Sequence, residues 1–270
     1  MRPDFPSSYN AAVLPAPPRP SGSPVPDPAA IDALAPKGNL RAGINLSNFL
    51  LVSDTGDSGD PVGVSPSLAA ALAAALGVQI DLVARPGPAE VVAALVSDEV
   101  DVGNVGADPS RAEHLAFTAP YCEIEATYLV RAESPITTID EVDRPGVRIA
   151  SKGGAAYTLW LDRDIAHAEL IRTDSIDESF EVFVAEGLEV LAGLRPRLLG
   201  DAQRIPGSRI LDGRFTAVQQ AIGIHRNRGQ AGLSYLERFV HWAIESGLVA
   251  DLIERFEVKG LSVAAAAAAP

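Results

Sequence analysis

From residue 39 onward, segments with strand periodicity and segments with helix periodicity follow one another in strict alternation, an order that few folds accept. "NLRAGINL" puts Leu40, Ala42, Ile44 and Leu46 on one face of a strand. After the acidic turn "SDTGDSGD", "VSPSLAAALAAALGV" reads as a helix that Ser65 caps, Pro66 starts and Gly77 stops. "VQIDLVA" is the next strand, "GPAEVVAALVSDE" a helix with Pro88 near its start, and "VDVGNVG" a strand apolar enough to be buried on both faces. This order predicts an α/β lobe built on a mostly parallel sheet with both faces covered.

The second half repeats the pattern. "GVRIAS" is a strand that runs through Gly153 and Gly154 into the helix "AAYTLWLDRD"; "AELIRT" is a strand, "SIDESFEVFVAEG" a capped helix and "LEVLAG" a further strand. Between the halves "ATYLVRAES" crosses over, and "GRFTAVQQAIGIHR" is apolar enough to cross back. The last helices, "LSYLERFVHWAIESG" and "LVADLIERF", keep a 3.6-residue apolar stripe with Gly247 between them, and are expected to pack on the first lobe. The expected division is lobe 1 at 37–128 plus 222–260 and lobe 2 at 129–221. Ten of the 21 prolines lie in residues 1–36, which read as a disordered tail, as does the alanine-rich stretch 261–270.

Composition then removes several functions. A net charge of -13 argues against a nucleic-acid surface and against a polybasic membrane patch, so any bound anion must be held by a local cluster. The one cysteine, Cys122, permits neither a disulfide framework nor a thiolate zinc site and reads as a small buried hydrophobe. His114, His167, His225 and His241 show no metal-ligand spacing, and no metal or cofactor is expected. "DTG" at 54–56 sits in an acidic turn, and there is no G-x-S-x-G elbow, Walker loop or G-x-G-x-x-G. The longest apolar run near the start, "AAVL" at 11–14, is too short for a secretory h-region, which as the chain stands favours a cytoplasmic reading.

"GNVGADPSRAEHLAFTAPY" poses a puzzle. Asp108 is a good N-cap and Pro109 suits the first helical position, so Arg111 falls in the first turn, where the helix dipole disfavours a cation. In a second turn, "SKGGAAY", Gly153 and Gly154 are able to bring backbone N–H groups up to an anion beside Lys152.

In order and spacing, "LRAGIN", "PVGVSPSLAAALAAALGV", "SDEVDVG", "DPSRAEHLAFTAPY", "SPITTIDEVDRPGVRIASKGG" and "ESGLVADLIERF" resemble the bacterial extracellular solute-binding proteins of family 3, over residues 38 to about 258. The resemblance implies a two-lobed type II periplasmic-binding fold, hinged on two crossing strands, that closes on a small polar solute and presents it to an ABC-transporter permease. It gives Arg111 a role as a two-pronged partner of a solute carboxylate, with the Asp108 helix start beside it. It places Asn48 and Phe49 on the opposite wall, Asn104 and Gly106 on the strand before Arg111, and Lys152, Gly153 and Gly154 on the second lobe. Amino-acid binders of the family usually carry an aspartate where this chain has Leu194, so an ordinary α-amino acid is a poor expected ligand. Arg195 next to it suits a second acidic group. The expectation is a monomeric binder of a small anionic solute with no catalytic residues. The alternatives are a cyclohexadienyl dehydratase on the same fold, with Glu123 or Glu125 as general acid, and a soluble sensor without a transporter.

Overall fold

The computed structural model describes residues 18–56 and 59–264. In chain order the elements are α1 (Pro28–Leu34), β1 (Asn39–Asn45), β2 (Asp54–Thr55), β3 (Pro61–Val62), α2 (Val64–Leu76), β4 (Gln79–Arg85), α3 (Pro88–Val96), β5 (Val102–Gly106), β6 (Leu115–Phe117), β7 (Cys122–Val130), β8 (Arg148–Lys152), α4 (Ala156–Asp164), β9 (Glu169–Thr173), α5 (Ile176–Ala185), β10 (Val190–Leu194), α6 (Arg195–Arg204), β11 (Arg209–Ile210), β12 (Thr216–His225), α7 (Gly229–Glu245), α8 (Leu248–Arg255) and β13 (Ser262–Val263). Local chemistry explains several boundaries. The Ser175 hydroxyl accepts from the Glu178 N–H at the start of α5, and Gly77, in the left-handed region at φ 76°, ends α2. The expected cap of α2 is corrected: the helix starts at Val64 behind Gly63, and the Ser65 hydroxyl instead accepts from the Asn104 amide at 2.9 Å.

One sheet of eleven strands runs through the molecule in the order β4-β1-β5-β12-β7-β10-β8-β9, with β6 on β12 and both β11 and β13 on β7. The outer strands are parallel to one another, β4-β1-β5 in the first lobe and β10-β8-β9 in the second. The middle pair, β12 and β7, is antiparallel to its neighbours and to itself. Each of the two strands serves both lobes. The start of β7 pairs with β12 and its end with β10, while the end of β12 turns to β5. The two runs meet at Ala126, which faces Thr216 on one side and Leu194 on the other. A two-lobed α/β fold joined by two crossing strands follows.

The apolar side chains pack accordingly. Leu40, Ile44, Leu68, Leu72, Tyr235 and Phe239 belong to one buried cluster, so α7 and α8 do return to the first lobe. Val130, Ile149, Leu161 and Val190 form a second cluster, and Phe180, Phe183, Leu191 and Leu198 a third, on the two sides of the second lobe's sheet. Beneath the first lobe lies a charged knot. The Asp101 carboxylate, wholly buried, accepts from the Arg41 backbone N–H at 2.9 Å, from Arg41 Nε at 3.0 Å and Nη2 at 2.7 Å, and from Arg228 Nη2 at 2.7 Å. Arg228 also donates to the Ala33 carbonyl, which ties α1 to the same knot.

Both expected tails are corrected where they are described. Residues 28–34 form α1, capped by Asp27, which accepts from the Ala30 N–H at 2.7 Å, with Pro28 in the first turn and Ala30 and Leu34 buried. At the other end Ser262 and Val263 pair with Glu123 and Cys122 of β7. The rest of the tails, residues 1–17 and 265–270, lies outside the described residues, as do 57 and 58 of the acidic turn. Among the described residues no helix is long and apolar enough to cross a membrane, and no cluster of His, Cys, Asp and Glu suits a metal ion.

Candidate functional site

The carboxyl ends of parallel strands are where open α/β sheets receive ligands, and here the ends of β1, β5, β8 and β10 converge on one cavity of about 50 Å³ between the lobes. β1 supplies its last residue, Asn45, whose Oδ1 accepts from the Ser47 N–H at 3.1 Å and hydroxyl at 2.8 Å. Asn48 follows, its Oδ1 fixed by the Leu50 N–H at 3.3 Å. β5 ends at Gly106, and the chain turns so that Arg111 folds back over it: Arg111 Nη1 donates to the Gly106 carbonyl at 2.5 Å. Its Nη2 reaches across to the second lobe and donates to the Gly154 carbonyl at 2.8 Å.

The second lobe meets this arginine with Lys152, the last residue of β8, and with Ala155, Ala156 and Tyr157 at the start of α4, which has no side-chain cap. Lys152 Nζ donates to the Gly153 carbonyl at 3.1 Å, and among the described residues it makes no ion pair. Leu194 at the end of β10 and Val218 and Gln220 on β12 complete the wall. Two cations, two asparagines, a serine and a glutamine are therefore in place, and among the described residues no aspartate or glutamate lines the cavity.

The electrostatics are those of a site short of negative charge. Burial pushes the Arg111 guanidinium down to about 10, and the attraction of Asp108 only partly offsets it. Lys152 is held below the ordinary lysine value, first by burial and then by repulsion from Arg111, against the pull of Glu90 and Asp174. Asp108 is oppositely placed: burial works against its ionisation, but hydrogen bonds from Ser110 and Arg163 outweigh this and hold its carboxyl below the usual range.

Of the residues singled out from the sequence, Asn48, Gly106, Arg111, Lys152 and Leu194 line this cavity. Gly154 meets it through the carbonyl that takes the Arg111 bond, while the Gly153 N–H is used by the Thr173 carbonyl. The others are not brought there. The Asn104 amide is turned inward to the Ser65 carbonyl and hydroxyl. Phe49 and Arg195 stand at a second cavity of about 460 Å³, where Arg195 Nε donates to Glu125 at 2.7 Å.

The helix expected after Asp108 is corrected to a single 3-10 turn, Arg111–Glu113, because β12 draws Leu115–Phe117 into a strand. The backbone N–H groups of Arg111 and Ala112 close on the Asp108 carbonyl, so no helix end points at a ligand. The Asp108 carboxylate accepts from Ser110 and, across the cleft, from Arg163 at 2.7 Å. Glu123 is held by Arg214 and Gln219, and Glu125 by Arg195. Asn45, Ser47, Tyr157 and Gln220 were not singled out. Asn45 and Ser47 were open to inference as the polar end of an apolar strand, and Gln220 as a polar residue in a crossing strand.

Comparison with known proteins accords with the fold. The family model described as bacterial extracellular solute-binding proteins, family 3, matches residues 41–258. Among solved structures, an amino acid ABC transporter substrate-binding protein AbpA from Streptococcus pneumoniae, bound to L-arginine, is 18% identical with a TM-score of 0.68, covering 85% of this chain and 99% of its own. A putative binding component of an ABC transporter from Wolinella succinogenes, complexed with lysine, is 20% identical, with a TM-score of 0.68 and coverage of 81% and 95%. The ancestral amino acid-binding protein AncCDT-1, a precursor of cyclohexadienyl dehydratase, is 20% identical, with a TM-score of 0.67 and coverage of 84% and 98%. The comparison with curated proteins finds no match.

Proposed function

The chain belongs to the bacterial extracellular solute-binding proteins of family 3, and from that premise we propose that it closes its two lobes on a small carboxylate that carries no ammonium group. Lobe 1 in this reading is 37–128 with 222–260, lobe 2 is 129–221, and the protein works as a monomer that delivers its solute to an ABC-transporter permease.

The observation that carries the reading is the cavity lining: Arg111 and Lys152 are there, and among the described residues no carboxylate is. An α-ammonium brought into the same space gains no counter-ion and meets two like charges, at a cost of several kcal/mol. A carboxylate gains the planar fork of Arg111, whose N–H groups match its two oxygens. Because Arg111 already spans from Gly106 to the Gly154 carbonyl, it is the group through which a solute on the first lobe is felt by the second. Closure then follows from tighter binding to the closed state. The dehydratase alternative gains no support, since Glu123 and Glu125 are engaged with Arg214 and Arg195 away from the cavity.

The test is a thermal-shift screen of the protein with acetate, propionate and pyruvate against glycine and alanine, repeated with Arg111→Ala. At a hundred times its dissociation constant a true ligand adds about 2.7 kcal/mol of stability. The acids shift the parent and not the variant if the reading holds. A shift with glycine or alanine alone overturns it.

A further inference from the structure

Each lobe supplies one cation to the cavity: Arg111 from the turn after β5, and Lys152 from the end of β8. The two differ in how far the protein satisfies them. Arg111 gives two of its donors to carbonyls on opposite lobes. Lys152, half buried, donates among the described residues only to the carbonyl of its own neighbour Gly153. Its nearest acidic influence is Glu90, on α3 of the first lobe, with Asp174 more weakly felt, and neither residue lines the cavity. The ammonium lies at the seam: a Cβ on Gly87, just before α3, would stand 3.8 Å from it and 2.9 Å from Glu90 Oε2.

Resting on the carboxylate reading above, we infer that Lys152 receives a second anionic group, so that the solute is a compact dicarboxylate. A monocarboxylate on Arg111 leaves Lys152 as a partly desolvated cation, and closure around it gives the second lobe no ion pair of its own. A dicarboxylate gives each lobe its own ion pair, and the second one forms only when the lobes come together. That difference between open and closed states is what drives closure. Size sets the other limit. A cavity of about 50 Å³ has room for about four water molecules, so the acid is short.

The experiment is titration calorimetry with oxalate, malonate and succinate, with acetate and propionate as single-acid controls and glycine as the amine-bearing one, on the parent, Lys152→Met, Lys152→Arg and Arg111→Ala. In the parent, malonate binds at least about tenfold tighter than propionate, equivalent to about 1.4 kcal/mol. Lys152→Met abolishes the preference for malonate over propionate, and Lys152→Arg keeps it. Equal affinities for malonate and propionate in the parent, or equal losses of both in Lys152→Met, overturn the role of Lys152. In that case single acids that bind the parent and not Arg111→Ala leave the carboxylate reading standing. If no acid binds and glycine does, both fail.

Discussion

Arg163, on α4 of the second lobe, places Nη1 2.7 Å from Asp108 Oδ2 on the first lobe, three residues before the cleft arginine. The carboxylate is almost fully buried and the guanidinium is 40% exposed, so the pair is worth more than a surface bridge and less than a sealed one, about 1 kcal/mol. Arg163→Ala is expected to enlarge the population of open molecules without solute and to weaken binding about fivefold. Small-angle scattering of the free protein and calorimetry with an acid that shifts the parent check it. An unchanged scattering curve together with an unchanged affinity removes the latch.

The same pair fixes a pH dependence. The Asp108 carboxyl is held below its unfolded value of about 3.9, so its contribution is complete above that value and is lost as pH falls through the lower folded value. Lobe closure is therefore expected to be flat from pH 5 to 8 and to loosen only in strong acid. Scattering profiles taken from pH 7 down to 3 report it, and Asp108→Asn is expected to show the loosened form at neutral pH already.

Gly106 leaves clearance for the second lobe. A Cβ there would lie 2.8 Å from the Ala156 Cβ and 2.9 Å from Val218 Cγ1, neither of which is the end of a flexible chain. Overpacking of this kind costs on the order of 1 to 3 kcal/mol. Gly106→Ala is thus expected to wedge the lobes apart and weaken solute binding roughly ten- to hundredfold, with little change in the urea midpoint. A parent-like affinity would show that closure does not bring Ala156 this near.

Arg111 trades stability for binding. Pushing its pKa down to about 10 corresponds to on the order of 3 kcal/mol of unfavourable burial at neutral pH. Because the folded value is the lower one, that penalty is full below about 10 and fades as pH rises above it toward the ordinary arginine value. Arg111→Met removes it and leaves the Gly106 and Gly154 carbonyls without a donor, at about 1 kcal/mol each. The variant is expected to melt at or a few degrees above the parent in the absence of solute, and to show no acid-induced shift.

Asp101 supplies a control of the opposite kind. Asp101→Asn leaves Arg41 and Arg228 buried around a neutral amide, which is expected to cost about 3 kcal/mol or more. Urea unfolding should register that loss while the ranking of acids in the folded protein stays as it was.

Much of this architecture is legible in the sequence wherever local chemistry decides the element. Gly77 and Ser175 bound their helices as read, and the strand and helix order gives the two lobes. What was illegible depends on distant partners. The proline content of residues 1–36 hides α1, which packs closely on α7 at Gly232: a Cβ there would sit 3.2 Å from the Ala33 Cβ and 3.3 Å from Leu34. "HLAF" has no strand signal of its own, yet β12 offers it a register, and the expected helix after Asp108 shrinks to one turn. In the site, the ends of strands were readable as the places where Gly106, Lys152 and Leu194 converge. The direction in which Asp108 and Asn104 turn was not, because Arg163 and Ser65 lie 55 and 39 residues away from them.

Two cations sunk in a chain of net charge -13 also govern how fast a solute arrives. An anion approaching from solution is repelled at long range by the whole molecule and attracted only within the last few ångströms, inside the Debye length of physiological salt. Added salt therefore relieves the repulsion before it weakens the contacts. Encounter rates for an acidic solute should rise with ionic strength, the reverse of electrostatically steered capture.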